Sequence, residues 1–278
     1  MICTPDRDSV VEAVYFEARE RGLSDREAKR AAEDVADRLR LPTAPGPVPS
    51  VGFYNLLHEQ DYDYPRNKRK VRKRGGEVVM RDIKDVDTIC IHQTAVEFGV
   101  SRRAIKEADG DVELARARRA LDVACHTMAF RQGYFVAAHE MEVYVNHANG
   151  FNPFSLGLEI DGRYAGLMDD PDTAAREDLR TTWGGEPTEL TEVTVQSSQA
   201  AIFWMVERVR QRGGRIRRVV SHRQSSANRR SDPGEEIWNR VVEGFADQEL
   251  GLEIDRLRVD GDGRPVPVAW SPKGQGRY

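Results

Sequence analysis

SLGLEID, residues 155–161, alternates with the two-residue period of a β-strand. Leu156, Leu158 and Ile160 share one face, and Gly157 and Glu159 share the other. Taken alone, Glu159 fits an exposed edge-strand residue as well as it fits a site. Two further stretches read the same way. DTICIH (87–92) puts Ile89 and Ile91 on one side and Thr88, Cys90 and His92 on the other. RIRRVVSH (215–222) puts Val220 and His222 together.

Helical patterns separate these strands. TEVTVQSSQAAIFWMVERVRQR (191–212) is the longest, stopped by Gly213-Gly214. The charged, Ala-rich stretch 101–122 predicts one or two helices, and DPGEEIWNRVVEGF (232–245) starts another. Residues 124–150 mix turn signals with β-formers and predict short strands and loops. Residues 163–189, rich in Asp, Gly, Pro and Arg, predict a long surface loop. Strands alternating with helices indicate an α/β fold with a covered sheet.

At the N-terminus, residues 9–21 read as a helix with Val10, Val11, Val14 and Phe16 on one side and Gly22 as its stop. Ser24 and Glu27 form a capping box that opens a second helix, ending near Leu41 before Pro42. TAPGPVPS (43–50) reads as a linker. The expected division is a helical hairpin and linker over 1–50, a main domain over 51–250, and an extended, polar C-terminal tail over 251–278.

Composition narrows the function classes. The 278 residues suffice for one large or two small domains. The net charge of −4 gives no global field toward nucleic acid or an anionic membrane. No apolar run approaches the roughly 18–20 residues of a membrane helix. The start of the chain turns acidic within a few residues, so no secretory signal is expected. RNKRKVRKR (66–74) reads as a solvated basic loop, or as a contact for an anionic polymer. Cys3, Cys90 and Cys125 supply neither a disulfide framework nor a CxxC knuckle, so a metal would rest mainly on histidine and carboxylate.

His92, His222 and Asp232 sit at strand ends or helix starts. Two imidazoles and a carboxylate are a good zinc set, with ligand distances of about 2.0–2.2 Å and one position open for water. Zinc lowers the pKa of such a water toward about 7. Each residue also has a plain structural reading. A strand-end histidine is commonly a satisfied, partly buried ring. Asp232 in DPGE fits a helix N-cap, with Pro233 at the first helical position and Glu235 at the capping-box position. One carboxylate oxygen can cap while the other ligates.

IHQTA (91–95), NHANGFNPFSLGLEIDG (146–162) and SHRQSSANRRSDPGEEIW (221–238) resemble the three signature blocks of the type-2 N-acetylmuramoyl-L-alanine amidases. That family includes phage lysins, bacterial amidases that process muropeptides and animal peptidoglycan recognition proteins. The likeness covers residues 81–245. It implies a central mixed β-sheet flanked by helices, here with an N-terminal helical extension. It also implies one Zn2+ held by His92, His222 and Asp232, with Glu159 as the acid that deprotonates the zinc-bound water.

The resemblance extends to the substrate. Arg230 stands where the related bacterial enzymes usually carry Lys to hold the oxyanion, and Arg229 beside it is the alternative contact. His147 matches a family histidine near the substrate groove, Asn149 and Asn152 would hydrogen-bond glycan or peptide, and His126 matches a structural position. His58 and His139 receive no role. Trp183 and Trp238 read as core or lid residues.

The implied partner is peptidoglycan or a muropeptide, cleaved between N-acetylmuramic acid and L-alanine. A binding module without catalysis is the alternative, and the complete ligand set favours an enzyme. The absence of a signal suits a phage lysin, a recycling enzyme, or an injected toxin with an inhibitor or delivery partner. A nucleic-acid binder using 66–74 would leave the three blocks unexplained.

Overall fold

The computed structural model describes residues 14–16, 18–19, 21–38, 51–62, 70–174 and 186–270. Nine strands are assigned among them. They are β1 (Gly52–Asn55), β2 (Lys73–Arg74), β3 (Glu77–Val78), β4 (Thr88–Gln93), β5 (Thr127–Phe130), β6 (Tyr134–Ala137), β7 (Ser155–Ile160), β8 (Arg218–Ser221) and β9 (Glu253–Ile254). Seven form one sheet in the order β1-β6-β5-β7-β4-β8-β9, and β2 pairs with β3 in a small hairpin. The β5–β6 pairing is antiparallel and the other pairings in the large sheet are parallel. The fold is therefore α/β, with a central mixed sheet flanked by helices.

The alternation in the sequence decides which face meets which layer. Ile89, Ile91, Leu156, Leu158 and Ile160 join one core cluster with Ala201, Ile202 and Met205 of the long helix Glu192–Gln211. That helix begins where the pattern predicts. Thr191 caps it by accepting the Thr194 amide at 3.3 Å, and Arg208 and Arg210 lie in its last turn, where cations suit the dipole. The opposite face of the sheet carries Cys90 and Val220, which pack with Ala148, Phe151 and Phe154 of the segment leading into β7. Residues 101–122 form two short helices, Arg102–Glu107 and Val112–Ala117, followed by a 3-10 turn over Arg118–Asp122.

Several expectations are revised. Asp232 is not a helix cap. The short α-helix Glu235–Ile237 has Gly234 at its N-cap with no side-chain cap bond, and it continues as a π-helix over Trp238–Asp247. Glu235 turns away from the capping-box position to accept the Met168 amide at 2.7 Å. Asp232 turns instead toward β4, because the amide there needs a partner. The segment after residue 250 is not a free extended tail. Its β9 adds the seventh strand, and Leu252, Val266 and Trp270 are buried in the main core. Its apolar residues are spaced too irregularly to signal this.

The basic stretch is also more than a solvated loop over its described part. Val71 is buried and bridges Val145, Lys70 donates to the Leu121 carbonyl at 2.9 Å, and the Arg72 guanidinium lies 5.1 Å from the Tyr144 ring centre. At the N-terminus the helix Asp25–Arg38 is present, and Val14 and Ala32 join the core of the main sheet. The capping box forms as read, with the Ser24 amide donating to Glu27 at 2.9 Å. Most of the first N-terminal helix, the linker 43–50, residues 66–69 of the basic run, the centre of the 163–189 loop and Trp183 lie outside the described residues.

Trp270 tests the docking of the tail. It is 1% exposed, lies 6.4 Å from the Trp238 ring and carries Arg223 over its face at 5.1 Å. Trp270→Ala should lower unfolding free energy by about 3–5 kcal/mol, measured by urea titration. An undocked tail would leave stability unchanged.

Candidate active site

The site grows out of strand register. In parallel pairing, aligned residues point to the same face. β4 and β7 are neighbours, and His92 aligns with Glu159. On the other side of β4, Ile91 aligns with Ser221 at the end of β8, so His222 emerges level with His92. The His92 and His222 ring centres are 4.2 Å apart. All these residues lie at the C-terminal ends of parallel strands, where open α/β sheets bind ligands.

Asp232 closes the group from the loop after β8. Its Oδ2 lies 2.8 Å from His222 Nδ1, and its Oδ1 accepts the Gln93 amide at 2.9 Å. Ligand atoms of His92, His222 and Asp232 all lie within 4.8 Å of one another. His92 Nδ1 is 3.9 Å from Glu159 Oε1. Both His92 Nδ1 and Glu159 Oε2 are buried without a hydrogen-bond partner among the described residues. Buried polar atoms left in that state are costly, and an unspent imidazole lone pair beside a second imidazole and a carboxylate fits a zinc ion.

A second group, Cys90, His92 and His147, also brings its donor atoms within 4.8 Å. It fits a hydrolytic metal less well. Burial holds the Cys90 thiol well above its usual pKa, and the negative charges of Asp232 and Glu159 add to this. A metal there would first have to strip the proton from a fully buried thiol. Cys90 is fully buried and His147 is only 7% exposed, which leaves little room for a water beside this group. In the His92, His222 and Asp232 group the His222 side chain keeps 12% exposure, and Glu159 beside it keeps 13%, so solvent reaches this side.

Electrostatics follow from burial. His92 is held well below the usual histidine range, first by burial and then by the charges of His222, His147 and Arg229. The Glu159 carboxyl is pushed up to about 8 by burial and by Asp232, with Arg229 acting in the opposite sense. Arg229 is half-buried and its charge reaches both groups. Arg230 is exposed, and its charge falls on Arg223, which donates to the Arg230 carbonyl.

The other expected substrate contacts are differently placed. Asn152 is buried, and its Oδ1 accepts the amides of His147 and Ala148 at 2.9 and 2.6 Å. Those two bonds shape the loop. Asn149 is exposed, but its Nδ2 is tied to the Ser225 carbonyl at 2.7 Å. His147 is 7% exposed and lies behind His92, with 3.1 Å between its Nδ1 and His92 Nε2. His126 is buried, as a structural residue should be, and its Nδ1 accepts the Gly157 amide at 2.9 Å.

Two organising residues escape the sequence reading. Gln93 follows His92 on β4 and points away from the site. Its Nε2 donates to the carbonyls of Tyr164, Ser231 and Pro233 at 3.0, 2.7 and 3.0 Å, and its Oε1 accepts the Tyr164 amide at 2.7 Å. With its own amide on Asp232, it fixes the loop that delivers that carboxylate. An amide side chain inside IHQTA was the available signal. Arg81 is half-buried and donates to the carbonyls of Met141, Asn152 and Ser155 at 2.7, 2.8 and 2.6 Å. A single arginine ahead of a turn carries no sequence signal for this role.

With the geometry established, comparison with known proteins assigns the family. Residues 82–235 match the model of N-acetylmuramoyl-L-alanine amidase. This is more than half of the chain, and the chain belongs to that family. No curated protein sequence matches it.

Among solved structures, it is similar to the endolysin N-acetylmuramoyl-L-alanine amidase LysCS from Clostridium intestinale URNW, at 13% identity and a TM-score of 0.40, covering 75% of this chain and 100% of that one. It is also similar to peptidoglycan recognition protein-LE in complex with tracheal cytotoxin, at 21% identity and a TM-score of 0.38, covering 62% and 90%. A third is the Ph2119 endolysin from Thermus scotoductus MAT2119 bacteriophage Ph2119, at 14% identity and a TM-score of 0.35, covering 72% and 99%. Among the described residues, no helix is long and apolar enough to cross a membrane.

The histidines behind the site set an acid limit on stability. His139 is buried, donates from Nδ1 to the Cys125 carbonyl at 2.7 Å, and leaves Nε2 without a hydrogen-bond partner among the described residues. Burial pushes its pKa down to about 4. A depressed histidine is protonated in the unfolded chain before the folded one, so stability falls as pH drops below about 6.5 toward 4. Between pH 7 and 5 this residue alone should cost about 2 kcal/mol. His139→Asn keeps the donor to Cys125 and removes the titration. Denaturation of the metal-free proteins at both pH values should show a shallower slope for the variant, and equal slopes would refute the assignment.

Proposed function

We propose that this chain hydrolyses the amide between N-acetylmuramic acid and the L-alanine of the stem peptide, in peptidoglycan or soluble muropeptides, with one zinc ion held by His92, His222 and Asp232. One observation carries this reading. Three donor atoms from three separate segments converge within 4.8 Å, with an unspent buried nitrogen on His92 and a carboxyl 3.9 Å away. When bound, zinc would polarise the amide carbonyl and acidify a water at the open position.

The chain's own residues do the rest. Glu159 takes a proton from the attacking water as its oxygen bonds to the carbonyl carbon. A carboxyl lifted toward neutral pH accepts that proton and can also release it. It returns the proton to the amide nitrogen as the C–N bond breaks, giving the lactyl carboxylate and a free alanine amine. A cation is needed for the oxyanion. The −2 position relative to Asp232 suggests Arg230, but the electrostatic reach of Arg229 to His92 and Glu159 favours Arg229. The same chemistry would serve a phage lysin, a muropeptide-recycling enzyme, or an injected toxin whose producer carries an inhibitor or delivery partner.

Digestion of purified sacculi by zinc-loaded and chelated protein, with mass analysis of the products, tests the reaction. Stem peptides beginning at L-alanine should appear only with zinc. Glu159→Gln should lower turnover by about 10²–10⁴-fold while zinc stoichiometry stays at one. Alanine at His92, His222 or Asp232 should lower both. Normal turnover in a fully zinc-loaded Glu159→Gln protein would remove Glu159 from the mechanism.

A further inference from the structure

His147 is buried against the sheet with its ring fixed on every side. Asn152 holds its backbone amide, and Gly157 leaves the space the ring occupies. A Cβ at position 157 would sit 2.9 Å from His147 Cγ and Nδ1. The ring is inclined 70° to that of His92, with centres 5.2 Å apart.

Its partners determine where its proton sits. Nε2 lies 3.2 Å from the Ser155 carbonyl oxygen and 3.3 Å from Ser155 Oγ. A carbonyl oxygen only accepts. The Ser155 hydroxyl proton is directed at the Phe151 carbonyl at 2.7 Å, so Oγ also offers a lone pair to the ring. Both neighbours require a proton on His147 Nε2. In a neutral ring the other nitrogen, Nδ1, is then a bare acceptor. It faces His92 Nε2 at 3.1 Å, which must therefore donate. With that proton fixed on Nε2, the lone pair of His92 is on Nδ1. That is the buried nitrogen facing Glu159 and lacking a hydrogen-bond partner among the described residues.

We propose that His147 is a positioning residue that locks His92 in the tautomer whose Nδ1 faces the metal site, through a relay from the Ser155 carbonyl to His147 to His92. The proposal rests on the reading of His92, His222 and Asp232 as the zinc site. It removes His147 from the substrate contacts. It also favours the His92–His222–Asp232 cluster over the Cys90–His92–His147 one, because the relay engages His92 Nε2 and both ring nitrogens of His147. Outer partners of this kind fix ring orientation and raise ligand basicity, and their loss commonly costs about 10–100-fold in metal affinity.

The test uses the full chain with His147→Leu and His147→Asn. The asparagine carboxamide oxygen can take the place of Nδ1 as acceptor, and leucine cannot. Zinc affinity, read by chelator competition, should fall by about 10–100-fold in the leucine variant and recover most of that loss in the asparagine variant. In metal-free wild type, 15N shifts of the histidine rings should report His92 with its proton on Nε2. If the leucine variant does not fold, the asparagine variant and the wild-type shifts still decide.

Three outcomes would overturn the proposal. They are unchanged zinc affinity in a folded leucine variant, His92 carrying its proton on Nδ1, or a thiolate-to-cobalt charge-transfer band in the cobalt-loaded protein that disappears in Cys90→Ser. If the wild type bound no zinc, the proposed function would fail, while the 15N shifts would still rule on the relay.

Discussion

Parallel pairing of β4 with β7, in the register that sets His92 beside Glu159, is the constraint on which the site depends. Side chains alternate strictly along a strand, so a slip of one residue would exchange the Ile–Leu face with the site face. The core on that side, built with the long helix Glu192–Gln211 and the π-helix Trp238–Asp247, prevents this by burying Ile89, Ile91, Leu156, Leu158 and Ile160 together. Hydrophobic burial on one side of the sheet thereby fixes polar placement on the other. Extending the same logic to β8 brings His222 level with His92, with their ring centres 4.2 Å apart.

Beneath the site, a polar scaffold replaces what an apolar core would supply. Arg81 gathers two carbonyls of the loop before β7 and one at the start of that strand, Asn152 folds that loop back on His147, and Gln93 anchors the loop that carries Asp232. Each satisfies several buried backbone groups that would otherwise be left unpaired. The C-terminal segment extends this scaffold. Asp260 accepts the Gly150 amide at 2.9 Å, and Gln224 donates to the carbonyls of Asp255 and Arg258 at 2.6 Å each. The turns holding Asn149 and His222 are thereby tied to one strap of chain.

Much of this was legible from residue order. The strands around Ile89, Leu158 and Val220 alternate cleanly, and the helix after Thr191 has a cap, a stop and a length that leave little freedom. His92, His222, Asp232 and Glu159 stood out through their motifs, and the structure brings them together. Asp232 shows where local reading misleads. DPGE is a good cap sequence, yet the carboxylate answers an amide 139 positions away in sequence, and Gly234 takes the N-cap instead. The burial of Asn152 and His147 was equally hidden, because a polar residue in a motif does not reveal which way its side chain turns.

The sequence by itself determined the alternation of strands and helices, the faces they bury and the candidate donors. Those properties depend on the period of the backbone and on the chemistry of single side chains. Only the tertiary structure decided that His147 lies behind His92, that Gln93 holds the Asp232 loop, that Arg229 is half-buried while Arg230 is exposed, and that the segment ending at Trp270 belongs to the core. Each of these depends on which buried donor meets which acceptor across long stretches of chain. That pairing is settled by packing, because a buried polar group takes whichever partner the folded chain places within reach.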